Sequence, residues 1–346
     1  MPIGRAHEAA APEQAASRTR PRRVLRRALP KLAVPALAAS LTAGCGARPP
    51  ASPLPNARAA LDRIYATQDC GLGVQATAKI DHFGKEGRVR TDLYTFAVWP
   101  ELLRMDVVSP FGVSLATLTS DGKRFTMHDL RDKRFLYGPA TACNIARLTT
   151  VPIPGHVLVS LLRGQAPVLK HAGEAATSIV WDSGGYYVVT IKGDNETVER
   201  IKVAPHPDDM GLPWDRQRLR VLDVEVKQQG IVLYHAELSD HKPALMAKPM
   251  EDPDGLEPPV PTSGPTCTAE LPRRIHLEVP GADADVIFRY EEVTWNPPLP
   301  EGTFTQPVPP GVRTEYVTCE GTIAPLRPPP SQPGFRSDAG PTVQVR

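Results

Sequence analysis

Three features are missing from this 346-residue chain: an apolar run long enough for a membrane-spanning helix, a Cys-x-x-Cys pair and a Gly-x-Ser-x-Gly elbow. A span needs roughly 20 apolar residues, whereas the apolar stretch at 32–41 is short and carries Pro35. Without closely spaced cysteines, structural zinc and dithiol redox chemistry have no ligands at their usual spacing. Without the elbow there is no strained nucleophile turn of the hydrolase kind. Gly71-Leu72-Gly73 is a lone pair of glycines with no helix after it, so it is not a phosphate loop. His206-Pro207-Asp208-Asp209 reads as a turn between strands. His235 and His241 lack the i, i+4 spacing of zinc proteases. No pair of carboxylates has supporting context. The expectation is of no catalytic residues, no metal, no cofactor and no enzyme activity.

An excess of positive charge is missing too, although the whole chain carries +2. Eight of its 40 Lys/Arg and two of its 38 Asp/Glu fall within residues 1–45. The remainder holds 32 basic against 36 acidic residues, a net charge of −4. A mildly acidic body has no basic face for nucleic acid.

What the chain does have is proline, 39 in all, too many for one compact domain and concentrated in particular stretches. Residues 18–31 are basic, 32–41 apolar, and Leu41-Thr42-Ala43-Gly44-Cys45 closes the run. That order reads as an export signal, residues 1–44, and the pentapeptide resembles the bacterial lipobox. Val24 is an alternative start within the long basic region. The resemblance implies cleavage before Cys45, with a diacylglycerol on its thiol and an acyl group on its new amine. Gly46, in place of the aspartate that retains lipoproteins in the inner membrane, implies the outer membrane facing the periplasm. Residues 45–58 form the acylated cysteine and a proline-rich tether.

From Asn56, a capping residue, a short helix is expected with Ala60, Leu61, Ile64 and Tyr65 on one face. Strands follow. Val74, Ala76, Ala78 and Ile80 alternate with polar neighbours, and a second strand covers about 88–98. Leu103, Met105 and Val107 then alternate up to Ser109-Pro110-Phe111-Gly112, where Pro110 and Gly112 mark a hairpin tip. Past the tip, Val113, Leu115 and Thr117 are expected to share a face. Two short helices, 142–148 and 156–162, interrupt an antiparallel meander that resumes at 178 and ends at Trp295-Asn296-Pro297. Residues 242–272 are a proline-rich insertion or ordered loop. Residues 307–346 form a proline-rich tail, expected to be disordered after 326. Cys70, Cys143, Cys267 and Cys319 are an even number in an exported chain, which favours two disulfides. Of three possible pairings, Cys70–Cys143 and Cys267–Cys319 close the shorter loops and are the expected ones.

Residues 104–118 with their Ser-Pro-Phe-Gly tip, residues 143–164 (Cys-Asn-Ile-Ala-Arg-Leu-Thr-Thr-Val-Pro-Ile-Pro-Gly-His-Val-Leu-Val-Ser-Leu-Leu-Arg-Gly) and residues 287–304 together resemble the LolA/LolB lipoprotein-localisation family, the first two its outer-membrane receptor LolB. The resemblance covers roughly 59–305, with gaps at 242–272. It implies a mainly β fold with a few short helices, an incomplete antiparallel half-barrel of about eleven strands lidded by helices over residues 59–306. A hydrophobic cavity would be lined by Met105, Val107, Leu115, Phe125 and Trp181. The implied partners are a LolA-like periplasmic carrier, client lipoproteins and outer-membrane lipid, with the chain a monomer. The apolar tip Pro110, Phe111 and Gly112 would enter the membrane; the family tip usually reads Pro-Leu-Gly. The insertion, the four cysteines and the tail depart from the family pattern. They leave open a second reading, an envelope adaptor lipoprotein that reuses the half-barrel with a filled interior.

Overall fold

The computed structural model describes residues 46–84, 87–109, 111–319 and 321–323. The export segment, Cys45, Pro110 and the tail beyond 323 lie outside the described residues. Helix α1 (Ala57–Gln68) begins where expected, the Asn56 side chain accepting the Ala59 N–H at 2.8 Å. Ala57, Ala60, Leu61 and Ile64 are buried, but Tyr65 turns outward and is half exposed.

Six strands then run as a meander: β1 (Gly73–Gly84), β2 (Gly87–Val98), β3 (Leu102–Val108), β4 (Ser114–Asp121), β5 (Arg124–Asp129) and β6 (Arg134–Pro139). Helices α2 (Ala142–Thr149) and α3 (Gly155–Leu162) follow. A second meander comprises β7 (Thr177–Asp182), β8 (Tyr186–Lys192), β9 (Thr197–Pro205), β10 (Leu219–Gln228) and β11 (Ile231–Pro243). The chain continues through β12 (Leu245–Met246), β13 (Glu270–Val279), β14 (Ala284–Trp295), β15 (Arg313–Thr318) and β16 (Gly321–Ile323).

All sixteen strands belong to one sheet, whose halves are joined by the antiparallel pairing of β1 with β14, from Val74↔Trp295 to Phe83↔Asp285. Its path ends at β7 on one side and β16 on the other, so among the described residues the barrel is incomplete. Helix α1 packs on β7, β8 and β10, α2 on β4 and β15, and α3 on β2 and β3. The helices therefore cover one face of the sheet, and the fold is the mainly β, helix-lidded half-barrel expected. The extra strands are those the sequence hides. β12 and β15 pair in parallel, with β14 and β6, and sit among prolines that break any apolar alternation.

Helix α3 explains itself by composition. Val157, Leu158, Val159, Leu161 and Leu162 are buried, so the helix is apolar on nearly every side and belongs inside. Its last turn is tied down by Tyr290, whose hydroxyl donates to Leu162 O at 2.8 Å, and by Arg163, whose guanidinium donates to Gly71 O.

The disulfides correct the sequence expectation: Cys70 pairs with Cys267 and Cys143 with Cys319, at Cα separations of 5.0 and 5.5 Å. Loop length does not decide the pairing; sheet topology does. Pairing of β1 with β14 carries Cys70 to the segment ahead of β13, where Asn296 Nδ2 donates to both Cys70 O and Pro265 O. Trp295 fills the same corner, completely buried, and a Cβ on Gly71 would lie 2.5 Å from its ring. Parallel pairing of β15 with β6 sets Cys319 beside α2. Residues 242–272 are thus stitched to the barrel at Cys267, with Trp295 Nε1 donating to Ala269 O at 2.8 Å.

Candidate functional site: an apolar cleft and an apolar tip

Between the helices and the far end of the sheet lies a cleft of about 690 Å³, within the range of about 300–1,000 Å³ typical of ligand pockets. Prolines shape its walls. Pro152, Pro154 and Pro167 have no N–H to offer a sheet or helix, so the chain before and after α3 runs extended across the opening. The β10–β11 turn supplies another wall. Gln229 and Gly230 both have positive φ (50° and 82°), as a tight two-residue hairpin turn requires. This turn presents Ile231 and Leu233 at the cleft, 69% and 40% exposed, while Tyr234 faces the core. Trp99, 60% exposed in the β2–β3 turn, and Tyr65 of α1 complete the lip. Apolar side chains left open and grouped around one cleft are the kind of surface that marks a binding site.

A carboxyl side chain is buried behind the lining residues. Glu199 of β9 is completely buried beside Ile201 and Val203. Its Oε2 accepts the Leu169 N–H at 2.8 Å, and burial pushes its pKa up to about 8.

At the other end of β3 stands the hairpin tip. Ser109 closes it, its carbonyl accepting the Gly112 N–H and its own N–H donating to Val113 O. Gly112 has φ +75° with open space around it, so glycine is there for backbone conformation and not for room. Phe111 is 92% exposed. The Trp99 turn and the tip flank the seven residues of β3, which extend on the order of 20 Å.

The five expected cavity residues are not brought together. Met105 is fully buried in the continuous core, and Phe125, equally buried, borders a separate cleft of about 1040 Å³ with Phe135 and Tyr137. Val107 is half-buried against that core. Leu115 is a correction: it is 41% exposed, and Ala116, Leu118 and Ser120 are the inward residues of β4. A register shift between Val107 and Val108 where β3 meets β4 inserts one residue, reversing the alternation carried across the turn. Trp181 borders a different cleft, its Nε1 donating to Ala47 O at 3.1 Å and its ring against Tyr187. The sequence reading missed the residues that do form a cleft, Tyr65, Trp99, Ile231 and Leu233. Trp99 and Ile231 carry a sequence signal, an apolar residue in or directly after a turn, whereas Tyr65 in α1 and Leu233 in β11 carry none.

Among the described residues, two groups of side chains have the ligand types to hold a metal ion, Asp223/His235/Glu237 and His276/Glu278/Asp285. They are explained by ion pairing. His235 Nε2 lies 2.8 Å from Asp223 Oδ2 and His276 Nε2 2.8 Å from Asp285 Oδ1. The hydrogen bond to Asp223 lifts His235 to about 9, so at neutral pH the ring is a cation with no lone pair for a metal. The His206–Asp209 segment is a short 3₁₀ turn in which Asp209 accepts from the Arg218 backbone and guanidinium, each at 2.8 Å.

No protein-family model and no curated protein matches the chain. Among solved structures it is similar to a domain named as a candidate outer membrane lipoprotein-sorting protein from Vibrio parahaemolyticus (10% identity, TM-score 0.41, 72% of this chain and 95% of that one). It is also similar to a DUF1329 family protein from Desulfovibrio piger (8% identity, TM-score 0.42, 72% and 97%). A LolA superfamily protein from Nitrosomonas europaea is similar at 10% identity and a TM-score of 0.41, over 72% of this chain and 98% of that one.

Proposed function

We propose that this protein is a receptor of the LolB kind, anchored in the outer membrane through acylated Cys45, which takes the acyl chains of exported lipoproteins from a periplasmic carrier and passes them to the membrane. The observation that carries the reading is the open apolar cleft ringed by Tyr65, Trp99, Ile231 and Leu233. An acyl chain of about 15 methylenes costs roughly 12 kcal/mol to hold in water, at about 0.8 kcal/mol per group. Such a client moves only from one apolar site to another, and a cleft with exposed apolar walls offers one. Phe111 at the tip supplies the membrane contact. Nothing in the transfer calls for a cofactor, a metal or catalysis, because the bilayer is the final, lowest-energy site for the chains.

A second reading, the envelope adaptor, is favoured by the packed interior at Met105 and Leu118. Native mass spectrometry after mild extraction separates the two. Receptor function is expected to give a species carrying lipid or acylated protein, which a Leu233→Glu substitution in the cleft removes. A chain that emerges bare from lipoprotein-rich membranes, with or without the substitution, supports the adaptor instead.

A further inference from the structure

Glu199 sits in a position with apolar neighbours along its strand and across it. Its face of β9 continues as Ile201 and Val203, and its cross-strand neighbours are Val226 on β10 and Ile191 on β8. Glu199 does not itself line the cleft, but several residues packed around it do. Thr197, two residues earlier on the same face, lines it; so does Val226; so does Leu169, whose N–H Glu199 accepts. Tyr65 and Tyr234, also lining residues, lie close enough that a charge on Glu199 would push both phenols up.

The two oxygens differ. Oε2 has the Leu169 N–H, whereas Oε1 is buried with no protein partner. Burial keeps the carboxyl in its acid form at neutral pH. An oxygen that accepts an N–H is best left as the carbonyl, which puts the proton on Oε1 and makes it a donor without an acceptor. A buried hydroxyl in that condition is destabilising in the empty protein, and the deficit is removed by a ligand that brings an acceptor oxygen. A ligand ammonium is the poorer match, because it would require the carboxylate form that burial disfavours.

We propose that the cleft recognises the carbonyl-bearing end of an acyl lipid, the Glu199 Oε1 hydroxyl donating to an ester carbonyl while the chains lie against Val226, Ile231 and Leu233. This rests on the acyl-binding reading and adds to it which end of the lipid is held and by what. Tyr65, half exposed on α1, is the ring that moves aside as the ester enters.

The test is displacement of a fluorescent fatty-acid probe from the full chain by 1,2-dioctanoylglycerol, an ester, and by 1,2-dioctylglycerol, the ether that lacks the carbonyls. Wild type is expected to prefer the ester by about fivefold to tenfold, the worth of one hydrogen bond. Glu199→Met should bind the ether as well as wild type does and show no preference, and Glu199→Gln, whose amide still donates, should keep it. Raising the pH from 6 to 9 provides a measurement on unmutated protein. Ionised Glu199 has no proton to donate, so the ester preference should vanish in wild type and persist in Glu199→Gln. The Gln variant also controls for His156 and Lys170 on the cleft wall and for Tyr65 and Tyr234, whose phenols stay protonated across that range. Equal affinity of wild type for the two lipids, or a preference that survives in Glu199→Met, overturns the inference alone. Failure of both lipids to displace the probe overturns the acyl-binding reading with it.

Discussion

Phe111 and Glu199 are opposite anomalies, an aromatic ring left in water and a carboxyl taken out of it. A Phe folded back onto its own strands would be a core residue, and a charge there would unfold the chain. At 92% exposure Phe111 has no such packing to lose. Phe111→Glu should therefore change stability by less than about 0.5 kcal/mol while slowing delivery of acylated clients to liposomes. Burial of a Phe contributes about 1.5–3 kcal/mol, so the loss in membrane partition should be roughly tenfold to a hundredfold. Phe111→Leu should deliver at nearly the wild-type rate. Thermal unfolding and liposome transfer on both variants check this, and undiminished transfer by a folded Glu variant would take Phe111 out of the mechanism.

Glu199 gives a pH signature. Its folded pKa of about 8 lies above its ordinary 4.5 because burial disfavours the charge. Between those values the folded chain keeps a proton that the unfolded chain releases, so this group's contribution is complete below about 4.5 and is lost as pH rises towards 8. Glu199→Gln should flatten that slope and be more stable than wild type at pH 8, by roughly 4 kcal/mol. Urea midpoints of the two proteins at pH 5 and pH 8 measure it; parallel pH profiles would show that Glu199 does not titrate in this window.

At the scale of elements, strands with one apolar face were legible because a period of two is a local property. Val74, Ala76, Ala78 and Ile80 are all buried. Helix α3 was legible from its apolar content, and α1 from its Asn56 cap. What escaped was whatever depends on two segments meeting. Leu115 ended on the outer face because a register shift in the β3–β4 pairing is not written in either strand. The disulfides went to Cys70–Cys267 and Cys143–Cys319, 197 and 176 residues apart in sequence, because β1 meets β14 and β6 meets β15. Non-reducing peptide mapping should recover those two linkages and no free thiol among the four. Cys143→Ser with Cys319→Ser frees β15 and α2 from each other and should cost about 2–4 kcal/mol, the usual worth of a closed loop. A Cys70–Cys143 peptide would contradict the topology.

Across the whole molecule, the sequence by itself determined a strand-rich antiparallel meander interrupted by short helices, while the helix-lidded half-barrel was implied by the family resemblance of residues 104–118, 143–164 and 287–304. Alternation and turn residues mark the strands locally, and 41% hydrophobic content suffices for a core. It also determined that the Phe111 tip would be a turn, since Pro110 and Gly112 favour little else. Only the tertiary structure decided where open apolar surface lies. The family resemblance implied that Met105 lines a cavity, yet it is packed where α3 lies against β2 and β3. The cleft arises instead where three proline-stiffened segments, the β10–β11 turn and α1 approach one another without closing. No stretch of sequence holds that information, because a gap between elements depends on how far each pair can approach. The buried carboxyl of Glu199 belongs to the same category: in sequence it is one acidic residue on a strand between Val198 and Arg200, and its chemistry comes from Leu169, Val226 and the two tyrosines that the fold brings around it.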